Sequence, residues 1–492
     1  MCVLDDLWLP PNPLLGEAYS TMKSEMSNHY PPLRKGTELE LDVYALAFGG
    51  RGIARLENFV VFVEGALPQE RVRARINRVK SSFAEATVSE IITPSPFRQV
   101  ARCPLFGQCG GCKLQNLDYQ EQIAQKQKHV EEAFAHIAGV KPPQILPIIP
   151  SPETWRYRNK MEMAFGVRAD GSLAIGFHTP GDYRKVLDVP ECFLQPEILD
   201  KVVTYLREEL GSLYRKAPAR YAPYDPTRHT GFFRHLVMRY SQATKEFLVA
   251  VLTHDGEWPE CEELAARFMK EFPQCRGFTW GINRGVSDVA RMEEKRFQLG
   301  EGWIEEVLGE LTYRVSAFSF FQTNSAGAKL LYDVVKDFAE LTGRERVLDA
   351  YCGTGSIGIY LARSAAQIVG IELVREAIWD ARHNARRNGL ENCLFLAGEM
   401  RDVLPTVGTI VGARFDRLVV DPPRGGMDKK SLRYLIALAA PLIVYVSCNP
   451  TTLARDTATL AEAGYVAEIA QPVDLFPHTH HVESVVKFRK RK

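Results

Sequence analysis

One cysteine stands where a strand is expected to end. Leu442-Ile443-Val444-Tyr445-Val446 is an unbroken apolar run, and a polar Ser447-Cys448-Asn449-Pro450 turn follows it. Such a run reads as a buried strand of a parallel sheet. Open α/β sheets bind their ligands at the carboxyl edge of these strands, so Cys448 is positioned to be an exposed nucleophile. The plain alternative is an inert core thiol, because a cysteine reacts only in an activating environment. A second group, Cys103, Cys109 and Cys112, falls within ten residues on a loop bearing Gly and Pro. That density reads as metal ligation, and a four-sulfur site needs one more thiolate, for which Cys192 in Val189-Pro190-Glu191-Cys192-Phe193 is the best donor. Zinc and a [4Fe-4S] cluster both accept four thiolates, and the spacing does not choose between them. It does differ from the Cys-x3-Cys-x2-Cys of radical enzymes, so a structural staple is expected. Cys261, Cys275, Cys352 and Cys393 have no ligand spacing and read as packing residues.

A third chemistry-bearing stretch follows an expected strand, Arg346 to Tyr351. Gly353-Thr354-Gly355-Ser356-Ile357-Gly358 then opens a helix. A lone GxGxxG is weak evidence, but here it has the strand–turn–helix context that nucleotide binding requires. A second strand, Ile368 to Glu372, ends in an acid about 20 residues on, where a ribose hydroxyl pair is bound. The pattern fits NAD or S-adenosylmethionine. Asp349, and Asp421-Pro422-Pro423 after the strand Leu418-Val419-Val420, favour the latter. Upstream, Phe318 to Asn324 caps an expected helix from about Ser325 to Leu341, with Asn324 or Thr323 as N-cap. Gln322, polar among aromatic and small residues, is placed to hydrogen-bond a ligand in an apolar pocket.

The elements that must position these residues fall into about three domains for 492 residues. Hydrophobic content of 46% and charged content of 25% are ordinary for a globular chain, and a formal charge of +1 leaves any basic surface local. No apolar run approaches the roughly 20 residues of a membrane span. Met1 to Pro32 lacks the basic and apolar regions of a signal peptide. It reads as a loose extension, or as a start codon placed too early, with Met22 and Met26 as later candidates. From Gly36 to about Thr93 short strands are expected, with Gly49-Gly50-Arg51-Gly52 as a tight turn. In Arg71-Val72-Arg73-Ala74-Arg75-Ile76 the arginines share one face of a strand and the apolar residues the other. A small barrel with a basic stripe can hold an RNA backbone. Tyr119 to Ala138 reads as a helix with Ile123, Val130, Phe134 and Ile137 as its apolar stripe. Arg156, Arg158 and Lys160 share a parity, as on a strand that could face phosphates.

Gly49-Gly50-Arg51-Gly52-Ile53-Ala54-Arg55, with Val61-Phe62-Val63 and Ala66-Leu67-Pro68-Gln69-Glu70, resembles a TRAM domain, which implies RNA binding. Together the glycine loop, Glu372, Asp421-Pro422-Pro423-Arg424-Gly425-Gly426, Val446 to Asp456 and His481-Val482-Glu483-Ser484-Val485 resemble the RNA uracil-5-methyltransferase family. The resemblance runs from about residue 36 to the end and is nearest to members acting on 23S ribosomal RNA, since the tRNA enzymes of the family typically lack both the barrel and the cysteine loop. It implies that Cys103, Cys109, Cys112 and Cys192 hold a [4Fe-4S] cluster. It further implies that Gln322, Tyr351, Glu372 and Asp421 contact S-adenosylmethionine beside Gly353 and Gly355, that Cys448 is the nucleophile, and that Glu483 is the base. Ser356 stands where some relatives have Asn beside the cofactor, which puts its role in doubt.

The expected fold class is α/β. Residues 1–32 form the extension and 33–93 a TRAM- or OB-like β-barrel. An α+β central domain with the iron–sulfur site spans 94–315, and a Rossmann-like class I methyltransferase sheet spans 316–492. The partner is RNA, with 23S ribosomal RNA first and transfer RNA or dual specificity as the alternative. A monomeric, cytoplasmic protein without membrane contact is expected. Uracil C5 is too weak a nucleophile to take a methyl group directly, and a thiolate adding at C6 makes it one. Glu483 precedes an expected last antiparallel strand, Ser484 to Phe488, which would hold it at the sheet edge of Cys448, while His478, His480 and His481 mark a polar loop over the site. The tail from Lys487 to Lys492 is either a phosphate contact or a solvated terminus. An RNA cytosine-5-methyltransferase typically carries a Cys beside the proline motif, and an amino-group methyltransferase an aromatic after it; Arg424 is neither. A non-enzymatic iron–sulfur RNA-binding protein is the remaining alternative, against which Cys448 and Glu483 both speak.

Overall fold

The computed structural model describes residues 33–491, so the expected extension and Lys492 lie outside the described residues. The described chain divides into two units. One runs to Val100 and takes in Asn116–Asp118; the other comprises Ala101–Gln115 and Tyr119 onward.

In the first unit, β1 (Glu38–Leu46), β2 (Gly52–Leu56), β3 (Phe59–Glu64), β4 (Glu70–Val79) and β5 (Phe83–Thr93) close into a barrel in the order β1-β2-β3-β5-β4. Alternation drives the closure: Leu41, Val43, Val61, Val63, Val72 and Ala74 point inward to form the core. Arg71 and Arg75 are exposed and Arg73 is partly so, on the outer face of β4 as the sequence implies. Two of the three are already paired, since Arg71 and Arg73 lie 3.0 and 3.1 Å from Glu40, and Arg73 also meets Glu90.

The second unit opens with the cysteine loop and α1 (Tyr119–His136), followed by the short β6 (Gln144–Ile145). The buried face of α1 differs from the expected stripe. Gln122, Lys126 and His129 turn inward with Val130 and Phe134, whereas Ile137 is exposed. Lys126 is drawn in by Asp474, 2.7 Å away and equally buried. Next come β7 (Lys160–Val167), β8 (Leu173–Thr179), β9 (Asp182–Asp188), α2 (Glu197–Lys216), β10 (Phe233–Tyr240), β11 (Phe247–Thr253), α3 (Cys261–Glu271), β12 (Cys275–Ile282) and β13 (Glu294–Gly300). They build a seven-stranded sheet, β13-β12-β11-β10-β7-β8-β9, with the apolar sides of α2 and α3 packed against it.

The strand expected through Arg156 and Arg158 begins only at Lys160. Arg156 instead has a left-handed backbone (φ 58°). Its guanidinium donates to the carbonyls of Cys192 and Gln195 and to Asp200, so it clamps the Cys192 loop rather than facing phosphates.

A hairpin of β14 (Trp303–Leu308) and β15 (Leu311–Ser316) leads to α4 (Ser325–Ala339), whose N-cap is Asn324, accepting from the Gly327 N–H. The remaining elements alternate: β16 (Arg346–Ala350), α5 (Ser356–Leu361), β17 (Gln367–Glu372), α6 (Arg375–Arg387), β18 (Cys393–Ala397), α7 (Met400–Val411), β19 (Arg417–Val420), α8 (Lys429–Ala437), β20 (Leu442–Ser447), α9 (Pro450–Glu462), β21 (Tyr465–Val473) and β22 (Glu483–Lys490). Their sheet has the order β18-β17-β16-β19-β20-β22-β21-β6. Strands β16 to β20 are parallel, and β22 runs antiparallel to β20, as expected for the last strand. Among the described residues no helix is long and apolar enough to cross a membrane. The basic tail is engaged within the fold, with Lys487 and Arg489 both pairing with Glu340.

Candidate active site

Strands β16, β17, β19 and β20 end side by side, and Tyr351, Glu372, Asp421 and Cys448 follow or close them. They line one cleft of about 2520 Å³ together with Gln322, Gly353 and Glu483. Strand pairing brings Cys448 and Glu483 to the same edge of the cleft. Ser447 and Ser484 are Cα partners at the end of the β20–β22 ladder; Cys448 follows the first and Glu483 precedes the second.

The glycine turn explains its own sequence. Gly355 has φ 76°, and a Cβ there would meet the Phe395 ring at 2.9 Å. Gly358 lets its N–H reach the Asp349 carboxylate at 2.8 Å, where a Cβ would collide with the same oxygen. The Gly353 N–H lies 3.3 Å from Glu372, whose other oxygen accepts from Val374. Ser356 is placed differently from its neighbours. It does not line the cleft, and its hydroxyl accepts from the Tyr332 hydroxyl at 2.9 Å inside the core. Gln322 is buried at the cleft wall, with its carbonyl held by Asn159.

The acids here keep their protons unusually well. Burial lifts Glu483 to about 8, helped by the charge of Asp421, while Arg424 opposes it. Asp421 faces the cleft, yet the protein packed around it lifts its carboxyl to about 7. Asp349 is raised to about 8, chiefly by burial. Burial likewise pushes the Cys448 thiol to about 12, with Glu483 and Asp421 adding to it and Arg424 working against it. A protonated thiol among protonated acids is a resting state, and a positively charged ligand in the cleft favours ionisation of all of them. The cleft therefore suits a cationic ligand: it offers a carboxylate at a glycine turn, a second carboxylate after β19 and a buried amide.

The loop over the site is built from histidines. His478 stacks on Trp155 with ring centroids 3.7 Å apart, and the His480 and His481 rings lie 4.1 Å apart. Burial lowers His478 and His480 to about 4 and His481 to about 3, so all three are neutral near pH 7. The His478 carbonyl accepts from the N–H groups of Lys113 and Leu114, at 2.9 and 3.0 Å. This fastens the cysteine loop to the segment that ends in Glu483. Cys103, Cys109, Cys112 and Cys192 line the same cleft. Cys112 is lifted to about 12 by burial and by the charges of Cys192, Cys109 and Cys103, which places the four thiols within electrostatic reach of one another. Among the described residues no group of three or more Cys, His, Asp or Glu side chains stands arranged to hold a metal ion. Cys261, Cys275 and Cys352 are buried in the packing role expected of them, and Cys393 is partly buried.

Sequence reasoning missed two participants. Arg424 was legible only as part of the Asp-Pro-Pro motif, although a cation directly after that turn must project at the strand edge. Lys126 carried no signal, because it interrupts an apolar stripe and its partner lies 348 residues away.

A parallel sheet with a glycine turn after its first strand, an acid ending the second and Asp-Pro-Pro after the fourth defines an S-adenosylmethionine-dependent methyltransferase. The pattern of the tRNA (Uracil-5-)-methyltransferase family matches residues 282–491, and that of the TRAM domain matches residues 32–89. An uncharacterized RNA methyltransferase of Halalkalibacterium halodurans is 38% identical over 460 residues, covering 94% of this chain and 98% of its own. One from Porphyromonas gingivalis is 37% identical, covering 91% and 98%. Among solved structures, the Pyrococcus abyssi tRNA (uracil-54, C5)-methyltransferase in complex with S-adenosyl-L-homocysteine has a TM-score of 0.71 and 28% identity, covering 92% of this chain and 100% of that one. The chain belongs to the RNA uracil-5-methyltransferase family.

Proposed function

We propose that the chain methylates C5 of a uridine in 23S ribosomal RNA through a transient bond between Cys448 Sγ and C6 of the base. The observation that carries this reading is that Cys448, just after β20, and Glu483, at the start of its antiparallel neighbour β22, line one cleft with the glycine turn. Bound S-adenosylmethionine supplies an electrophilic methyl carbon and a positive charge; Gln322, Tyr351, Gly353, Glu372 and Asp421 would hold it. Cys448 gives its proton to solvent and its sulfur adds to C6, so the electrons of the C5–C6 double bond pass into the ring as an enolate. C5 then attacks the methyl carbon as the bond from that carbon to the sulfonium sulfur breaks, leaving S-adenosylhomocysteine. Glu483, ionised at that stage, takes the proton from C5; the double bond re-forms and the C6–S bond breaks, returning the thiolate. Arg424 is the fixed cation beside both reacting residues. The base must leave its stack to reach Cys448, which suits a loop or single-stranded target.

Cys103, Cys109, Cys112 and Cys192 would hold a [4Fe-4S] cluster, their chemistry being that of four soft ligands. Its part would be structural, since the loop it would close is the one fastened to His478. Transfer RNA is the second reading for the substrate, supported by the Pyrococcus abyssi neighbour, which acts on uracil-54 of tRNA and shares the architecture along its whole length.

RNA containing 5-fluorouridine, given with S-adenosylmethionine, is expected to trap the protein covalently through Cys448, because fluorine cannot leave as a cation. The same adduct from Cys448→Ala would sink the assignment. Mapping 5-methyluridine in ribosomal and transfer RNA from a deletion strain decides the substrate: a loss confined to tRNA overturns the ribosomal reading.

A further inference from the structure

The rim of the cleft carries an aromatic and cationic surface that the reaction above does not use. Three elements build it. Arg314 of β15 lies with its Cζ 4.9 Å from the ring centre of Trp303 in β14 and 4.8 Å from that of Trp379 in α6. His383, one turn further along α6, stacks on Trp379 at 5.4 Å with 20° between the planes. Arg387, another turn on, lies over Trp303 at 5.5 Å. The arrangement is held rigidly from beneath. Asn384 accepts from the Arg314 N–H at 2.7 Å and Asn388 from the Thr312 N–H at 3.0 Å, locking α6 to the hairpin.

The surface is nonetheless open. Trp379 is 54% exposed, and beside it Leu373 and Val374 are 59% and 49% exposed. Single exposed apolar residues are commonplace, but a contiguous set on a rigid support marks a contact site. Its charge names the partner. Arg375, Arg382 and Arg386 are exposed on the same helix; Arg382 donates to the Phe395 carbonyl at 2.6 Å, which holds its guanidinium at the surface without neutralising it. The surface is also continuous with the cleft, because Trp303, Arg314, Leu373, Val374 and Arg375 line it along with Cys448. A target uridine drawn out of its stack leaves neighbouring bases unstacked, and aromatic faces beside a basic helix replace those contacts.

We infer that the α6–hairpin rim is a stacking platform for an unpaired nucleotide of the RNA flanking the target uridine. The inference rests on RNA being the substrate, and its test is binding rather than turnover. Full-length protein is titrated into a fluorescein-labelled single-stranded RNA, and binding of S-adenosylhomocysteine is measured in parallel by calorimetry. Trp379→Ala should weaken RNA binding about 5- to 100-fold, with affinity for S-adenosylhomocysteine unchanged. Trp379→Phe should keep most of the RNA affinity. Arg386→Glu should lower the salt dependence of binding by roughly the slope of one phosphate contact. RNA affinity within twofold of wild type in Trp379→Ala overturns the inference. So does a matching loss of S-adenosylhomocysteine affinity, which would make the patch a wall of the cofactor site. Failure of the wild type to methylate either RNA sinks the proposed function without touching this comparison.

Discussion

The Arg424 guanidinium lies 3.4 Å from Nε2 of His481, and its carbonyl accepts from the side chains of Asn449 and Thr452 at 3.3 and 3.4 Å. One residue thus touches both the turn that bears Cys448 and the loop that ends in Glu483. It is also the cation that favours ionisation of both. Arg424→Ala should therefore raise the pH at which iodoacetamide alkylates Cys448 and slow adduct formation with 5-fluorouridine RNA about 10-fold, the order expected on losing one neighbouring charge. Arg424→Lys should fall between. An alkylation profile that does not move would show that the guanidinium acts only as a strut.

The buried acids make stability depend on pH in a definite direction. Asp349, Asp421 and Glu483 titrate at about 8, 7 and 8 when folded, against about 4 in an unfolded chain. Between those limits the folded protein holds more protons than the unfolded one. The stability these groups contribute is whole below about pH 4 and is lost as pH rises through 7 to 8. The melting temperature of cofactor-free protein is expected to fall from about pH 5.5 to about pH 8.5. Asp421→Asn, which removes the charge that Asp421 carries at alkaline pH, should flatten that fall and raise the alkaline melting temperature by a few degrees, on the order expected for about 1 kcal/mol, while abolishing methyl transfer.

Lys126 and Asp474 form a wholly buried pair, with the Tyr119 hydroxyl donating to the second carboxylate oxygen. Removing one partner leaves an uncompensated charge inside the fold, at a cost of about 3–5 kcal/mol. Lys126→Met should lower the urea midpoint accordingly, and Lys126→Met with Asp474→Leu should recover much of it. A single variant as stable as wild type would mean that water reaches Asp474.

Protein purified without oxygen should be brown with broad visible absorption, and Cys112→Ser or Cys192→Ser should remove the colour. A colourless wild type with stoichiometric zinc would replace the cluster with a zinc site. Either metal should protect the Lys113–Leu114 amides from hydrogen exchange, since they donate to the His478 carbonyl.

Much of this was legible in the residue order because local rules act over short windows. Barrel alternation, the β16 turn and its glycines, the Asn324 cap and the Cys448 strand end each follow from fewer than about a dozen residues. What escaped were features decided by distant packing. Arg156 reads as a strand residue by parity, yet its backbone is left-handed and its guanidinium meets two carbonyls of the Cys192 loop and Asp200 of α2. Lys126 reads as a surface lysine until Asp474 arrives from the far end of the chain. Ser356 sits in a cofactor motif, but the Tyr332 hydroxyl claims its oxygen from behind. In each case the deciding partner is remote in sequence, where periodicity carries no information.

The pairing of Ser447 with Ser484 also bears on how such a protein can change. Because Cys448 and Glu483 adjoin the last paired residues of β20 and β22, side-chain replacements that keep this pairing keep the two groups at one edge. Gain or loss of one residue in either strand would turn alternate side chains to the opposite face and part the two groups at a stroke. Sequence drift here is free in composition but not in length.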